Sequence, residues 1–329
     1  MPPILLFLAF PLILLLLVLL FAFYAYRVCF YAKANHQIDP YAIMKGKQYE
    51  AVSDRIYASA RRMEAVPFEP VSITSHDGLT LAGRLYRNRS SAPVEILFHG
   101  YRSCALRDCS GGHRLAQKMN FNILAVDQRA HGESEGSAIT FGVLERQDCI
   151  AWIDFVIREF GEDTPIVLSG LSMGAATVLE SAGLNLPDNV VCVIADSPFA
   201  SPESIIRKVC KDRGMPDKLV YPFVRLGGRL FAGFDPNESC AEDALRRAKV
   251  PVLLLHGEDD RFVPCYMSHR LKKACASRCE LHTFPSAGHG LSYIIDPEVY
   301  EDTVYGFLRS IPQLDGWIRG DAVNYGKDQ

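Results

Sequence analysis

Three side-chain types that could together support acyl transfer stand out: a serine between glycines, a histidine in a glycine-rich loop, and an aspartate after an apolar run. Residues 170–174 read Gly-Leu-Ser-Met-Gly, a G-x-S-x-G pattern centred on Ser172. The apolar run 166–169 leads into it, and Ala175 onward leads out with helical composition. In such a strand–turn–helix the serine takes a strained backbone conformation that projects its Oγ from the sheet. Glycines on either side are needed where neighbouring chain passes too close for side chains. The helix N-terminus beneath favours developing negative charge. The competing reading of Ser172 is an ordinary helix cap.

A serine alcohol needs a base, and the base needs an orienting acid. Of nine histidines, His289 lies in Ser286-Ala-Gly-His-Gly-Leu, a loop between the last strand candidate and the final helix. There it can swing over a nucleophile; the plainer role is a loop hydrogen-bonding group. For the acid, His256-Gly-Glu-Asp-Asp-Arg-Phe-Val-Pro264 follows a strand candidate that is almost wholly apolar. Asp260 sits at the C-terminal end of that strand, where open α/β sheets place their sites. Asp259 is a close rival and Asp196 a more distant one. The chain order is then Ser, Asp, His. An oxyanion needs two backbone N–H groups: Met173 supplies one, and Tyr101, in Phe98-His-Gly-Tyr-Arg-Ser, supplies the other.

Positioning these residues requires a sheet. Strands are predicted at 95–98, 122–126, 166–169, 190–195, 252–255 and 280–283, with helices near 110–119, 142–160, 173–184, 238–248, 265–276 and 297–309. Strands alternating with helices of this length imply a mainly parallel sheet covered on both faces, with right-handed crossovers. Ahead of them, two alternating runs around His76-Asp77-Gly78 read as an antiparallel hairpin. About forty residues separate the strand ending at Ala195 from the next helix, and they carry many aliphatic and aromatic side chains. A connection this long suggests a lid insertion, at about 199–237, or an added pair of core helices.

The N-terminus is the most apolar part of the chain: residues 2–26 carry no charged side chain. A helix needs about 20 such residues to cross a bilayer. A cleaved signal peptide would carry a basic start and a shorter apolar core. The reading is therefore a single-pass anchor over 1–31, a connecting segment over 32–66 with a helix at 41–63, a hydrolytic domain over 67–312, and a tail over 313–329. Arg27, Lys33, Lys45 and Lys47 follow the span, which predicts a catalytic domain on the cytoplasmic side. The ten cysteines contain no C-x-x-C pair, so metal-ligand spacing is absent. Scattered thiols suit a reducing compartment, with a Cys104–Cys109 disulfide as the alternative. A net charge of −3 with interspersed signs offers no footprint for nucleic acid.

Taken together, His99-Gly100, Asp127-x-Arg-x-His-Gly-x-Ser134, Gly-Leu-Ser-Met-Gly, Asp196-Ser-Pro-Phe, His256-Gly-x-x-Asp-x-x-Val-Pro264 and Gly288-His289 resemble the α/β-hydrolase superfamily. The likeness covers roughly residues 66–312. It is similar in particular to bacterial membrane-anchored hydrolases grouped with serine aminopeptidase-like and prolyl-oligopeptidase-like catalytic domains. The resemblance implies an eight-stranded sheet with a small helical lid, Ser172, Asp260 and His289 as triad, and Tyr101 and Met173 as oxyanion donors. It implies no cofactor and no metal. The HGGG motif of one lipase branch is absent, and so is any propeller repeat of the large oligopeptidases. The expected activity is hydrolysis of esters or thioesters with a small or lipophilic acyl group. Alternatives are an aminopeptidase-like enzyme for small peptides and a non-catalytic binding module.

Overall fold

The computed structural model describes residues 3–33, 38–42 and 46–321. The N-terminal apolar run forms α1 (Pro3–Cys29), followed by α2 (Lys47–Glu50) and α3 (Ser53–Glu64). The helix predicted over 41–63 is instead two helices, α2 and α3, parted by a turn at Ala51–Val52; Tyr41 and Ala42 are not helical, and the part at 43–45 lies outside the described residues. The hairpin is β1 (Glu69–Thr74) and β2 (Thr80–Tyr86), antiparallel, with Gly78 in the turn at φ 88°. Then come β3 (Val94–Phe98), α4 (Ala105–Asp108), α5 (Ser110–Lys118), β4 (Asn122–Val126), α6 (Glu145–Phe160), β5 (Ile166–Leu171), α7 (Met173–Ser181) and β6 (Val190–Asp196). The insertion contributes α8 (Pro202–Asp212) and α9 (Asp217–Gly227), continued by a π-helical turn over Gly228–Ala232. The chain closes with α10 (Ala241–Leu245), β7 (Val252–Gly257), α11 (Tyr266–Ala274), β8 (Cys279–Phe284), α12 (Ser292–Ile295), α13 (Pro297–Arg309) and α14 (Pro312–Asp321).

The eight strands make one sheet in the order β1-β2-β4-β3-β5-β6-β7-β8, parallel from β4 onward. Every residue of β3, β4, β6 and β7 is buried, as both-face coverage of a parallel sheet demands. Alternate side chains feed two cores, because strand side chains change face at each residue. Ile96, Leu124, Val193 and Leu254 join one core with Trp152 of α6 and Ala175 of α7. Leu97, Ala125, Ile194 and Leu253 join the other with Leu115 of α5 and Leu308 of α13.

Two segments are more firmly docked than their sequence suggests. Over Phe10–Cys29, α1 is long and apolar enough to cross a membrane, and most of its leucines are exposed. Its last turns instead bury Ala22, Ala25 and Tyr26, and Phe30 beyond them is 0% exposed. That face meets α9 so closely that a Cβ on Gly227 would stand 2.4 Å from the Ala22 carbonyl oxygen. Phe21 and Phe223 add an aromatic contact at 5.7 Å. At the other end, the region read as a tail contains α14, whose Leu314 and Ile318 are buried and whose Trp317 Nε1 donates to Met119 O at 2.9 Å. Pro312 starts a fresh helix there, which allows the chain to turn back onto the core. Residues 322–329 of the tail lie outside the described residues.

Candidate active site

Ser172 occupies the single residue between β5 and α7, at φ 57° and ψ −110°. A non-glycine residue holds such a conformation only where its surroundings over-determine it. Its own N–H donates to Asp196 O at 2.8 Å, pinning the turn to the next strand. Gly174 is required by space: a Cβ there would lie 2.1 Å from Phe98 O. Ser172 is buried apart from the face its hydroxyl presents to a cavity of about 620 Å³.

His289 brings its Nε2 to 2.9 Å from Ser172 Oγ, and its Nδ1 to 2.7 Å from Asp260 Oδ2. An Nδ1–H donating to the carboxylate leaves the Nε2 lone pair to accept the serine proton. The other Asp260 oxygen accepts from the N–H groups of Phe262 at 2.9 Å and Val263 at 2.8 Å. Burial pushes the Asp260 carboxyl up, but the imidazoles of His289 and His256 outweigh it and hold the group down at about 2. Asp260 is therefore a standing anion buried against the imidazole. His256, also buried, places Nδ1 at 2.6 Å from Ser268 Oγ and Nε2 at 2.8 Å from Val263 O, bracing the aspartate loop. The rival Asp259 is exposed, its N–H on Ala287 O. Asp196 is buried and hydrogen-bonded to Ser197 and Ser292, with its carboxyl pushed by burial up to about 6.

The loop after β3 approaches the serine from the other side. A Cβ on Gly100 would stand 3.5 Å from Ser172 Cβ and 2.9 Å from Asp108 Oδ2, which explains the glycine. The Gly100 N–H donates to Asp108 Oδ2 at 2.8 Å, and the Arg102 N–H donates to His131 Nε2 at 3.0 Å. Tyr101 lies between these two committed amides. Across the site, Met173 opens α7, and a helix leaves its first N–H groups without internal partners.

Several cavity residues gave no sequence signal. Gln48 and Tyr49 of α2 line it, and the Tyr49 hydroxyl donates to His289 O at 3.0 Å. Nothing local marks a contact that spans 240 positions. Deeper in the cavity stand Glu95 and Ser169, hydrogen-bonded to each other, with burial pushing the Glu95 carboxyl up to about 7. From the insertion, Asp212 lines the cavity. The ten cysteines are free thiols, Cys104 and Cys109 among them. His76, Asp77 and Asp148 cluster closely enough to suggest a metal site. The Arg129 guanidinium joins the two carboxylates, at 2.9 Å from Asp77 and 2.6 Å from Asp148, so the trio is an ion-pair site.

A strained serine between strand and helix, on a sheet of this order, defines a hydrolase architecture, and the chain belongs to the alpha/beta hydrolase family, whose model matches residues 96–303. Among relatives, it is 26% identical over 254 residues to the uncharacterized Bacillus subtilis protein YqkD, covering 77% of this chain and 82% of that one. It is 26% identical over 212 residues to the lysophosphatidylserine lipase ABHD12 of Xenopus tropicalis, covering 59% of this chain and 50% of the lipase. The Pyrococcus furiosus esterase Pf2001 shares the fold with a TM-score of 0.63 at 23% identity, over 85% of this chain and 99% of that one. As a member of this family, with a lipase among its relatives, the protein is a hydrolase.

Proposed function

We propose that the chain is a serine esterase that cleaves carboxylic ester or thioester bonds of small or lipophilic acyl substrates through a covalent acyl-enzyme. The observation that carries this reading is the continuous line Asp260–His289–Ser172, with links of 2.7 and 2.9 Å, ending on a serine held at φ 57°. His289 takes the Ser172 proton as Oγ attacks the carbonyl, and Asp260 fixes the imidazole tautomer and stabilises the imidazolium. The Met173 and Tyr101 N–H groups receive the oxyanion. His289 returns the proton to the leaving group, then activates a water that clears the acyl-enzyme. No step calls for a metal or cofactor.

Substrate choice rests on position and lining. The hydrolase domain of about 67–312 follows α1 after a connecting segment, the last turns of α1 pack on α9 of the insertion, and the exposed Phe231 of the insertion meets Phe23 of α1. A site tied to an anchoring apolar helix favours substrates that partition into lipid. Arg27 and Lys33 after the span favour a cytoplasmic domain. A panel of p-nitrophenyl esters of rising acyl length tests this assignment. Turnover rising from acetyl toward medium or long chains supports it; strict preference for acetyl, or turnover of aminoacyl-naphthylamides alone, defeats it.

A further inference from the structure

The end of the membrane helix and the loop that carries Tyr101 share hydrogen bonds that membrane crossing alone does not need. A helix leaves its last carbonyls without internal partners, and its macrodipole favours a cation there. At the end of α1 the loop after β3 takes up those carbonyls. The Tyr101 hydroxyl donates to Cys29 O at 2.8 Å. The Arg102 guanidinium donates through Nη2 to Val28 O at 3.0 Å and to Tyr31 O at 3.1 Å. Arg102 is itself strained, at φ 50°, and its N–H is tied to His131 Nε2 at 3.0 Å. A left-handed arginine keeps that backbone only under external restraint. Behind it the Tyr101 ring packs on Phe141 at 4.9 Å, and Phe141 on the fully buried Phe30 at 5.9 Å.

We propose that Arg102 is a positioning residue for the oxyanion loop, and that its grip on the last turn of α1 makes the membrane helix part of the active-site framework as well as an anchor. The inference rests on the Ser172 esterase reading above. The Tyr101 N–H belongs to the Gly100–Tyr101 peptide, one peptide before the amide of Arg102; with the Gly100 N–H held by Asp108 on one side and Arg102 held by His131 and the end of α1 on the other, the residue that carries the donor is fixed from both flanks. One planar guanidinium serves a carbonyl in the last turn of α1 and another two residues beyond its end, a geometry that a lysine ammonium reproduces only in part.

The test uses the full-length chain in detergent micelles, with steady-state hydrolysis of a p-nitrophenyl ester and thermal unfolding measured on the same samples. Arg102→Ala is expected to lower kcat roughly 10- to 100-fold, as partial loss of an oxyanion donor does, with KM within about threefold and Tm within about 3 °C of the parent. Arg102→Lys should recover part of the loss. Tyr101→Phe, which removes one hydroxyl and keeps the backbone donor, should lower kcat in the same sense but less, and it decides the matter if Arg102→Ala does not fold. Unchanged kcat in the variant that decides, or a loss of kcat that merely tracks a collapse in Tm, overturns the inference. Ser172→Ala run alongside separates the two layers. A dead Ser172→Ala beside a fully active Arg102→Ala sinks the positioning role alone, whereas surviving turnover in Ser172→Ala removes the nucleophile and this inference with it.

Discussion

The Tyr49 hydroxyl donates to the carbonyl of His289 at 3.0 Å, so the segment that follows α1 reaches the loop carrying the imidazole. Gln48 packs beside it, so close to Gly288 that a Cβ there would stand 2.0 Å from Gln48 Oε1. Burial, with Asp260 and Asp108 nearby, pushes the Tyr49 phenol above its ordinary range and keeps it a donor. Tyr49→Phe removes one hydrogen bond of about 1 kcal/mol from the His289 loop. The expected result is a fall in kcat/KM of roughly 3- to 30-fold with cooperative unfolding retained. Wild-type kinetics in Tyr49→Phe would show that the imidazole is placed without this contact.

Strain at the nucleophile makes a prediction about stability. Ser172 holds φ 57°, a region that glycine enters without steric cost and alanine does not. Ser172→Gly should therefore be more stable than Ser172→Ala by about 1 kcal/mol or more, with both inactive. Chemical denaturation of the two variants checks this. Equal midpoints would mean that the elbow stores no strain.

The buried Glu95 carboxyl should make stability depend on pH. Burial raises it to about 7 from an ordinary 4.5, against the opposing hydrogen bond from Ser169. The folded state then binds the proton more tightly than the unfolded chain. This contribution is fully present below about pH 4.5 and is lost as pH rises through about 7. Glu95→Gln, which keeps an acceptor for Ser169, removes the penalty of a buried anion. Thermal unfolding should find it close to the parent at pH 5 and more stable at pH 8.5, by on the order of 2 kcal/mol or several degrees. A difference that does not change with pH would place the proton elsewhere.

The parts of this molecule that are readable in its sequence are those with short-range signatures. The strands predicted at 95–98, 122–126 and 252–255 differ from β3, β4 and β7 by at most two residues at an end, because buried parallel strands are short apolar runs bounded by turns. Ser172 was visible because its elbow needs glycines at fixed offsets. His289 and Asp260 were visible because each follows a strand at the C-terminal edge of the sheet, where the structure brings them together. What stayed hidden depends on distant partners. Tyr49 looks like a linker residue until β8 and the loop after it are in place. Leu314 and Trp317 look like a tail until Met119, the residue just past α5, offers its carbonyl. The insertion is helical, as α8 and α9, but its contact with α1 through Gly227 is a matter of close approach that no local pattern records.

Ser172 is the nucleophile of the proposed mechanism, and a fluorophosphonate probe followed by peptide mass spectrometry measures its reactivity directly. The result expected is a single adduct on Ser172 of the full-length protein, with turnover lost in step with labelling, and neither adduct nor turnover in Ser172→Ala. A folded, active protein that leaves Ser172 unlabelled, or a Ser172→Ala variant that still hydrolyses the ester, would contradict it.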